Sequence, residues 1–254
     1  AMGKHANISA TLTEKFLWIF VYSGCSSTML VINKMVLEAI PIPTVVSCAQ
    51  LAVGAASVVS MEALGAKVLG KADSKKIWPF MLYTAMFAAG LIANMNALLL
   101  TNVGAVIATR TCLPVIVCIF EWAFLDRALP STRSTVALAG VVGCAGLYIR
   151  FNTGVTTTGR LGYVWLAVWW VLLALQMTYG KWITEKIEMS QWERVFYNNA
   201  CAIPPTVVIS FATGEASKLK NVGVGPGASI WLFASCAVGT CLSYSGWKTR
   251  SMIT

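Results

Sequence analysis

Apolar residues along this 254-residue chain come in long unbroken blocks, not in alternation. Eight blocks stand out, at 16–37, 44–64, 77–100, 103–125, 135–149, 161–183, 195–213 and 229–247. A helix that crosses a bilayer needs about 20 predominantly apolar residues. Strands of a membrane barrel would alternate apolar and polar positions over segments of about ten. The pattern therefore predicts an all-α membrane protein of about eight transmembrane helices. The first block follows Lys15, exceeds a signal-peptide core in length and runs on to Asn33-Lys34 without a small-residue cleavage pattern, so it reads as a span. The fifth block is the shortest, and its AGVVGCAG run predicts close helix packing. The longest connections are 67–76, 150–160 and 214–227, so no soluble domain is expected.

Composition sharpens this reading. The chain is 57% hydrophobic and 11% charged, with a mean hydropathy of +0.70. Soluble domains carry about 25% charged residues. The net charge of +9 suggests loop charges that set topology, or an anionic substrate, and no arginine-rich arm or zinc finger points to nucleic acid. The eight cysteines all fall in apolar blocks and form no CxxC pair, so they read as small packing residues, with no metal and no cofactor implied. His5, the one histidine, lies in the polar leader. There is no HExxH, no GxSxG and no cluster of intramembrane carboxylates, which argues against an enzyme.

Orientation follows from Lys and Arg. With a cytosolic N-terminus, that side holds thirteen: Lys4, Lys15, Lys67, Lys71, Lys75, Lys76, Arg127, Arg133, Lys181, Lys186, Arg194, Lys248 and Arg250. The opposite side holds five: Lys34, Arg150, Arg160, Lys218 and Lys220. Sliding the chain by 147 residues (165 − 18) brings Trp18 onto Trp165, Lys34 onto Lys181, Glu38 onto Glu185 and Lys71 onto Lys218. Spans one to three then superpose on spans six to eight. Five helices per repeat is an odd number, so the second copy enters the membrane upside down, a plan common in secondary transporters. The chain divides accordingly into a leader (1–15), a first five-helix repeat (16–150) and the start of a second repeat (151–254). A partner for span four would begin near residue 250, so the repeat predicts a ninth and tenth helix beyond this sequence. A complete eight-helix protein is the alternative.

Polar residues at membrane depth are costly unless they meet partners or a wet cavity. Arg110 lies about two turns into span four. It either pairs with a carbonyl or carboxylate, or faces an anionic ligand, whose phosphate oxygens a guanidinium suits. Glu121 stands about 16 Å further along that helix, too far for a direct pair. Asn94 and Asn96 point to different faces, so one at most is expected at a cavity. Tyr197, Asn198 and Asn199 open span seven. They are either an interfacial helix end or, as carboxamides beside aromatics, a reader of a nucleobase edge.

At this point four stretches resemble the nucleotide-sugar transporters of the drug/metabolite transporter superfamily, most of all the GDP-mannose group. They are YSGCSSTMLVINK (22–34), ATRTCLPVIVCIFEWAFLDRALPS (108–131), WERVFYNNACAIPP (192–205) and SYSGWKTR (243–250). The resemblance implies a five-plus-five inverted-repeat fold, here cut to about eight helices. It implies a multi-pass Golgi membrane antiporter, with the endoplasmic reticulum as alternative, exchanging a cytosolic GDP-sugar for GMP. The partners are those two nucleotides, the bilayer and a homodimer mate. It carries over Tyr22, Tyr197, Asn198, Asn199 and Ser243 as substrate-binding positions, to which Arg110 is added from its chemistry. The family's second motif, GALNK, does not occur in this sequence. A UDP-sugar or plastid phosphate-ester exchanger of the same superfamily therefore stands as the alternative.

Overall fold

The computed structural model describes residues 12–70, 74–151, 159–219, 222 and 225–253. Most of the leader, Lys71, Lys220 and most of the 150–160 connection lie outside the described residues. Those described form ten helices and no strand. They are α1 (Leu12–Ala39), α2 (Pro43–Ala63), α3 (Ser74–Leu100), α4 (Val103–Thr111), α5 (Leu113–Leu125), α6 (Thr132–Phe151), α7 (Arg160–Lys186), α8 (Gln191–Ala212), the single turn α9 (Glu215–Lys218) and α10 (Pro226–Ile253).

Seven helical stretches are long and apolar enough to cross a membrane, with α4 and α5 together making one of them. The 20-residue α6 occupies the place of the fifth expected span. Large apolar side chains such as Phe16, Phe20, Phe211 and Phe233 point outward, as a lipid-facing surface requires.

Local chemistry sets the helix ends. Pro43 starts α2 at a position where its missing N–H is no loss. Asn102 caps α4 by accepting from the Ala105 N–H at 2.8 Å. Pro114 follows the break at Cys112, so span four is two helices in line, with Arg110 in the last turn of the first. Ser190 and Glu193 form a reciprocal capping box at the start of α8.

Three helix pairs pack most extensively: α3 with α7, α1 with α10, and α2 with α8. In the α1–α10 pair, Thr249 Oγ1 donates to the Trp18 carbonyl at 3.2 Å, Gly246 faces Tyr22 and Gly239 faces Met29. The numbers fall on one helix as they rise on the other, so the pair is antiparallel. A Cβ on Gly246 would stand 3.3 Å from the Tyr22 ring, and one on Gly239 would stand 3.2 Å from the Met29 methyl. Small residues here let the helices close up. One apolar cluster joins Val36, Leu37, Val46, Met95, Leu98 and Val106 at one end of the bundle. A second joins Val58, Phe80, Tyr83, Ile183, Val195 and Trp247 toward the other.

Two polar clasps close the ends. The buried Glu215 carboxylate accepts from the Thr44 N–H (2.7 Å) and the Thr44 hydroxyl (3.1 Å), so α9 caps the start of α2. At the other end Ser190 donates to the Val68 carbonyl (3.1 Å), and Glu193 accepts from the Gly70 N–H (2.9 Å).

Two expectations need correction. Cβ atoms on Gly140, Gly143 and Gly146 would meet nothing within 4 Å. These glycines therefore make no close contact with another described helix, and α6 rests mainly on α4. Arg194 and Arg250 are not loop charges. Arg194 is 3% exposed and donates to the Ile187 carbonyl at 3.0 Å, while Arg250 sits inside α10.

Removing a buried charged acceptor leaves its donors unsatisfied, which costs about 1–3 kcal/mol or more. Glu215→Ala should therefore lower the Tm of the purified protein by several degrees, and Glu215→Gln, which keeps one acceptor, by less. An unchanged Tm in both variants would remove Glu215 as a clasp.

Candidate functional site

Helices α1, α2, α3, α7, α8 and α10 surround a cavity of about 230 Å³, and α4 adds Arg110 to its wall. Two carboxamides and a hydroxyl meet at one level. Gln50 Nε2 donates to Asn33 Oδ1 (2.9 Å) and to Ser235 Oγ (3.1 Å), tying α2 to α1 and α10. One turn along α2 is Gly54. A Cβ there would stand 2.6 Å from Asn199 Nδ2, so the bare glycine makes the room in which the Asn199 side chain lies. Asn198 and Asn199 are buried at 2% and 4% exposure, yet both line the cavity. The Oδ1 atoms of Asn198 and Asn94, also on the wall, are buried acceptors with no hydrogen-bond partner among the described residues. Such acceptors are costly unless a donor reaches them.

A second polar group sits toward the other end. Arg110 donates to Ser26 Oγ and, at 3.4 Å, to Tyr22 Oη. Neither partner is a carboxylate. Glu121 pairs instead with Lys181 on α7 at 3.0 Å, so the Arg110 charge is left facing the cavity. An arginine at the bilayer centre costs roughly 2.5–3.5 kcal/mol or more when it faces lipid. Its seat on this wall answers that cost.

A third group surrounds Tyr83. Its hydroxyl accepts from Gln176 Nε2 at 2.9 Å and from Arg250 Nη1 at 2.7 Å, joining α3, α7 and α10. The Arg250 guanidinium lies over Trp247, 5.1 Å from the ring centroid, and Arg194 lies 5.3 Å from the same ring. Cation–π contacts of this kind contribute about 0.5–2 kcal/mol each. Gly180 permits the arrangement, because a Cβ there would stand 2.9 Å from both Arg250 Nη1 and the Tyr83 ring.

Among the described residues, the charged ones on this wall are Arg110 and Arg250, and no Asp or Glu lines it. The cavity thus attracts anions, offers donors around its guanidiniums and offers acceptors at Asn94 and Asn198. Among the described residues no group of three or more His, Cys, Asp or Glu comes together as a metal site needs.

Of the residues singled out from the sequence, Tyr22, Arg110, Asn198, Asn199 and Ser243 line this one cavity. Tyr197 does not; it packs with the Val58–Phe80–Trp247 cluster, edge-on to Phe196 at 5.4 Å. Successive helix residues point about 100° apart, so one face cannot hold all three. Asn94 lines the cavity, and Asn96 turns back to donate to the Ile92 carbonyl at 2.9 Å. Sequence reasoning missed Asn33, Gln50, Tyr83, Gln176 and Arg250. Gln50 and Gln176 carried the signal that marked Arg110, a polar side chain deep in an apolar block. Arg250 lay past the end of its block and was read as topology.

No family model matches the chain. Among curated proteins it is 28% identical over 247 residues to GDP-fucose transporter 1 of Arabidopsis thaliana, covering 91% of this chain and 69% of that protein. It is 25% identical over 240 residues to the GDP-mannose transporter GONST3 of the same plant, covering 91% of this chain and 63% of that protein. The chain thus spans about two thirds of the length of each. Both relatives are named as transporters, not enzymes. The chain, with its apolar spans and central polar cavity, is thus similar over nine tenths of its length to two plant proteins named as GDP-sugar transporters.

Proposed function

We propose that the protein exchanges a GDP-sugar, GDP-mannose or a close relative, for GMP across a Golgi membrane by alternating access, with its N-terminus in the cytosol. The observation that carries this reading is a cavity at membrane depth with two guanidiniums and, among the described residues, no carboxylate on its wall. A nucleotide brings the matching groups, phosphate oxygens for the guanidiniums and base N–H donors for the unpartnered Asn198 and Asn94 oxygens. Tyr22 meets the nucleotide beside Arg110, and Ser243 adds a hydroxyl.

The inverted two-repeat plan, with units 16–150 and 151–254, is part of the proposal. Its support is the packing. Advancing five spans turns the α1–α10 pair into α7–α3 and returns α2–α8 to itself. The two end clasps are related by the 147-residue shift as well, since 68 + 147 = 215 and 44 + 147 = 191, next to Ser190. The cavity is also narrower than the roughly 300–1,000 Å³ usual for ligand pockets. A nucleotide sugar therefore enters by widening it, as a rocking of one helix group against the other does. An emptied cationic cavity resists reorientation. A returning anion removes that resistance, which is the physical reason for exchange over uniport.

Counterflow tests the reading. Proteoliposomes of the full-length protein loaded with GMP should take up external GDP-mannose or GDP-fucose, and empty vesicles should not. Uptake driven by UMP or a triose phosphate but not by GMP would replace the proposal with the related exchangers. Asn198→Ala together with Asn199→Ala should abolish uptake at unchanged expression; transport at the parental rate would return these residues to a structural role. Gly54→Ala should act through Asn199, lowering nucleotide affinity more than Tm. A variant equal to the parent in both would show that the side chain gives way freely.

A further inference from the structure

The polar groups of the cavity stand in a fixed order along the bundle, and three helices report it independently. Along α1 the order is Asn33 at the carboxamides, Met29 against Gly239, Ser26 on Arg110 and Tyr22 against Gly246. Along α2 it is Gln50 beside Asn33, Gly54 beside Asn199 and Val58 in the Tyr83–Trp247 cluster. Along α10 it is Ser235 beside Gln50, then Gly239, Gly246 and finally Trp247 and Arg250. Arg110 is therefore proximal to the carboxamides and Arg250 distal. Tyr22 lies between them, its hydroxyl toward Arg110 and its ring against Gly246, one turn short of Arg250.

The distal group is built as a donor site. The Tyr83 oxygen already accepts from Gln176 and Arg250, which uses both of its lone pairs and leaves its own O–H to donate. Tyr83 is 2% exposed and lines the cavity, as do Gln176 and Arg250. Stacking on Trp247 and the bare Cα of Gly180 fix where the guanidinium lies.

We propose that Arg250, Tyr83 and Gln176 form a second anion subsite, which holds the distal phosphate of a diphosphate while Arg110 holds the proximal one. This deepens the nucleotide-sugar reading and rests on it. The two guanidiniums then have different duties. Arg110 meets monophosphate and diphosphate alike, because both carry the proximal group. Arg250 meets only the second phosphate, so it sets the preference of the cavity for the sugar-bearing nucleotide over the monophosphate that leaves.

The test is equilibrium binding of guanosine, GMP and GDP to the purified full-length protein and its variants. Wild type should bind GDP more tightly than GMP. Arg250→Gln should weaken GDP at least about tenfold, the scale of a charge-assisted hydrogen-bond pair, and leave GMP within about twofold. Arg110→Gln should weaken both nucleotides together. Tyr83→Phe, which keeps the ring and its packing, should repeat the Arg250→Gln pattern in smaller measure, and it decides the matter should Arg250→Gln not fold. Equal losses for GDP and GMP in Arg250→Gln and Tyr83→Phe, or no loss in either, overturn the subsite while leaving the nucleotide reading intact. Wild type that binds neither nucleotide overturns both.

Discussion

The hydroxyl of Tyr83 ties three helices of the bundle together toward one of its ends. It collects one hydrogen bond from α7 through Gln176 and one from α10 through Arg250, while its own helix supplies the ring that packs on Phe80 and Trp247. In a membrane the apolar surfaces gain little from meeting one another, since lipid is as apolar as leucine. Polar contacts and close packing decide which helices pair. The Tyr83 bridge, the Asn33–Gln50–Ser235 bridge and the glycine contacts of Gly239 and Gly246 together select α1 with α10 and α3 with α7. The same groups that hold the helices in register therefore build the wall of the cavity.

That double use explains why the wall is so uneven in charge. Carboxylates are present in the chain but are spent elsewhere. Glu121 goes to Lys181, Glu185 to Arg127, Glu215 to the start of α2, and Glu193 to the start of α8. Each of these lies off the cavity. On the wall Arg110 is held by the neutral oxygens of Ser26 and Tyr22, and Arg250 donates to the Tyr83 hydroxyl. Neutral partners orient the Arg110 guanidinium without cancelling it, in a medium that screens its field weakly.

Much of this was legible in the residues. Block length predicted the spans, because the bilayer sets a length that no core helix needs to match. Arg110, Asn198 and Asn199 stood out because a polar residue inside an apolar run must have a reason to be there. The limits were equally physical. Pro114 and the break at Cys112 divide span four, yet they leave its hydropathy unbroken. The glycines of α6 looked like a packing face, but composition does not say which neighbour fills it. Arg250 lies where the apolar run thins out, and only the inward turn of α10 against Tyr83 separates it from a loop charge. Tyr197 was grouped with its two neighbours by sequence adjacency, and the helical screw parts them.

The central claim is that the polar residues at membrane depth face one wet cavity that a nucleotide fills. Cysteine scanning on a cysteine-free background of the full-length protein tests it most directly. Ser243→Cys and Asn94→Cys should react with a membrane-impermeant thiol reagent in opened membranes and be protected by GDP-mannose. Phe233→Cys, which points outward, should react slowly and show no protection. Equal reactivity at all three positions, or labelling at Ser243→Cys and Asn94→Cys that nucleotide leaves unchanged, would contradict the account.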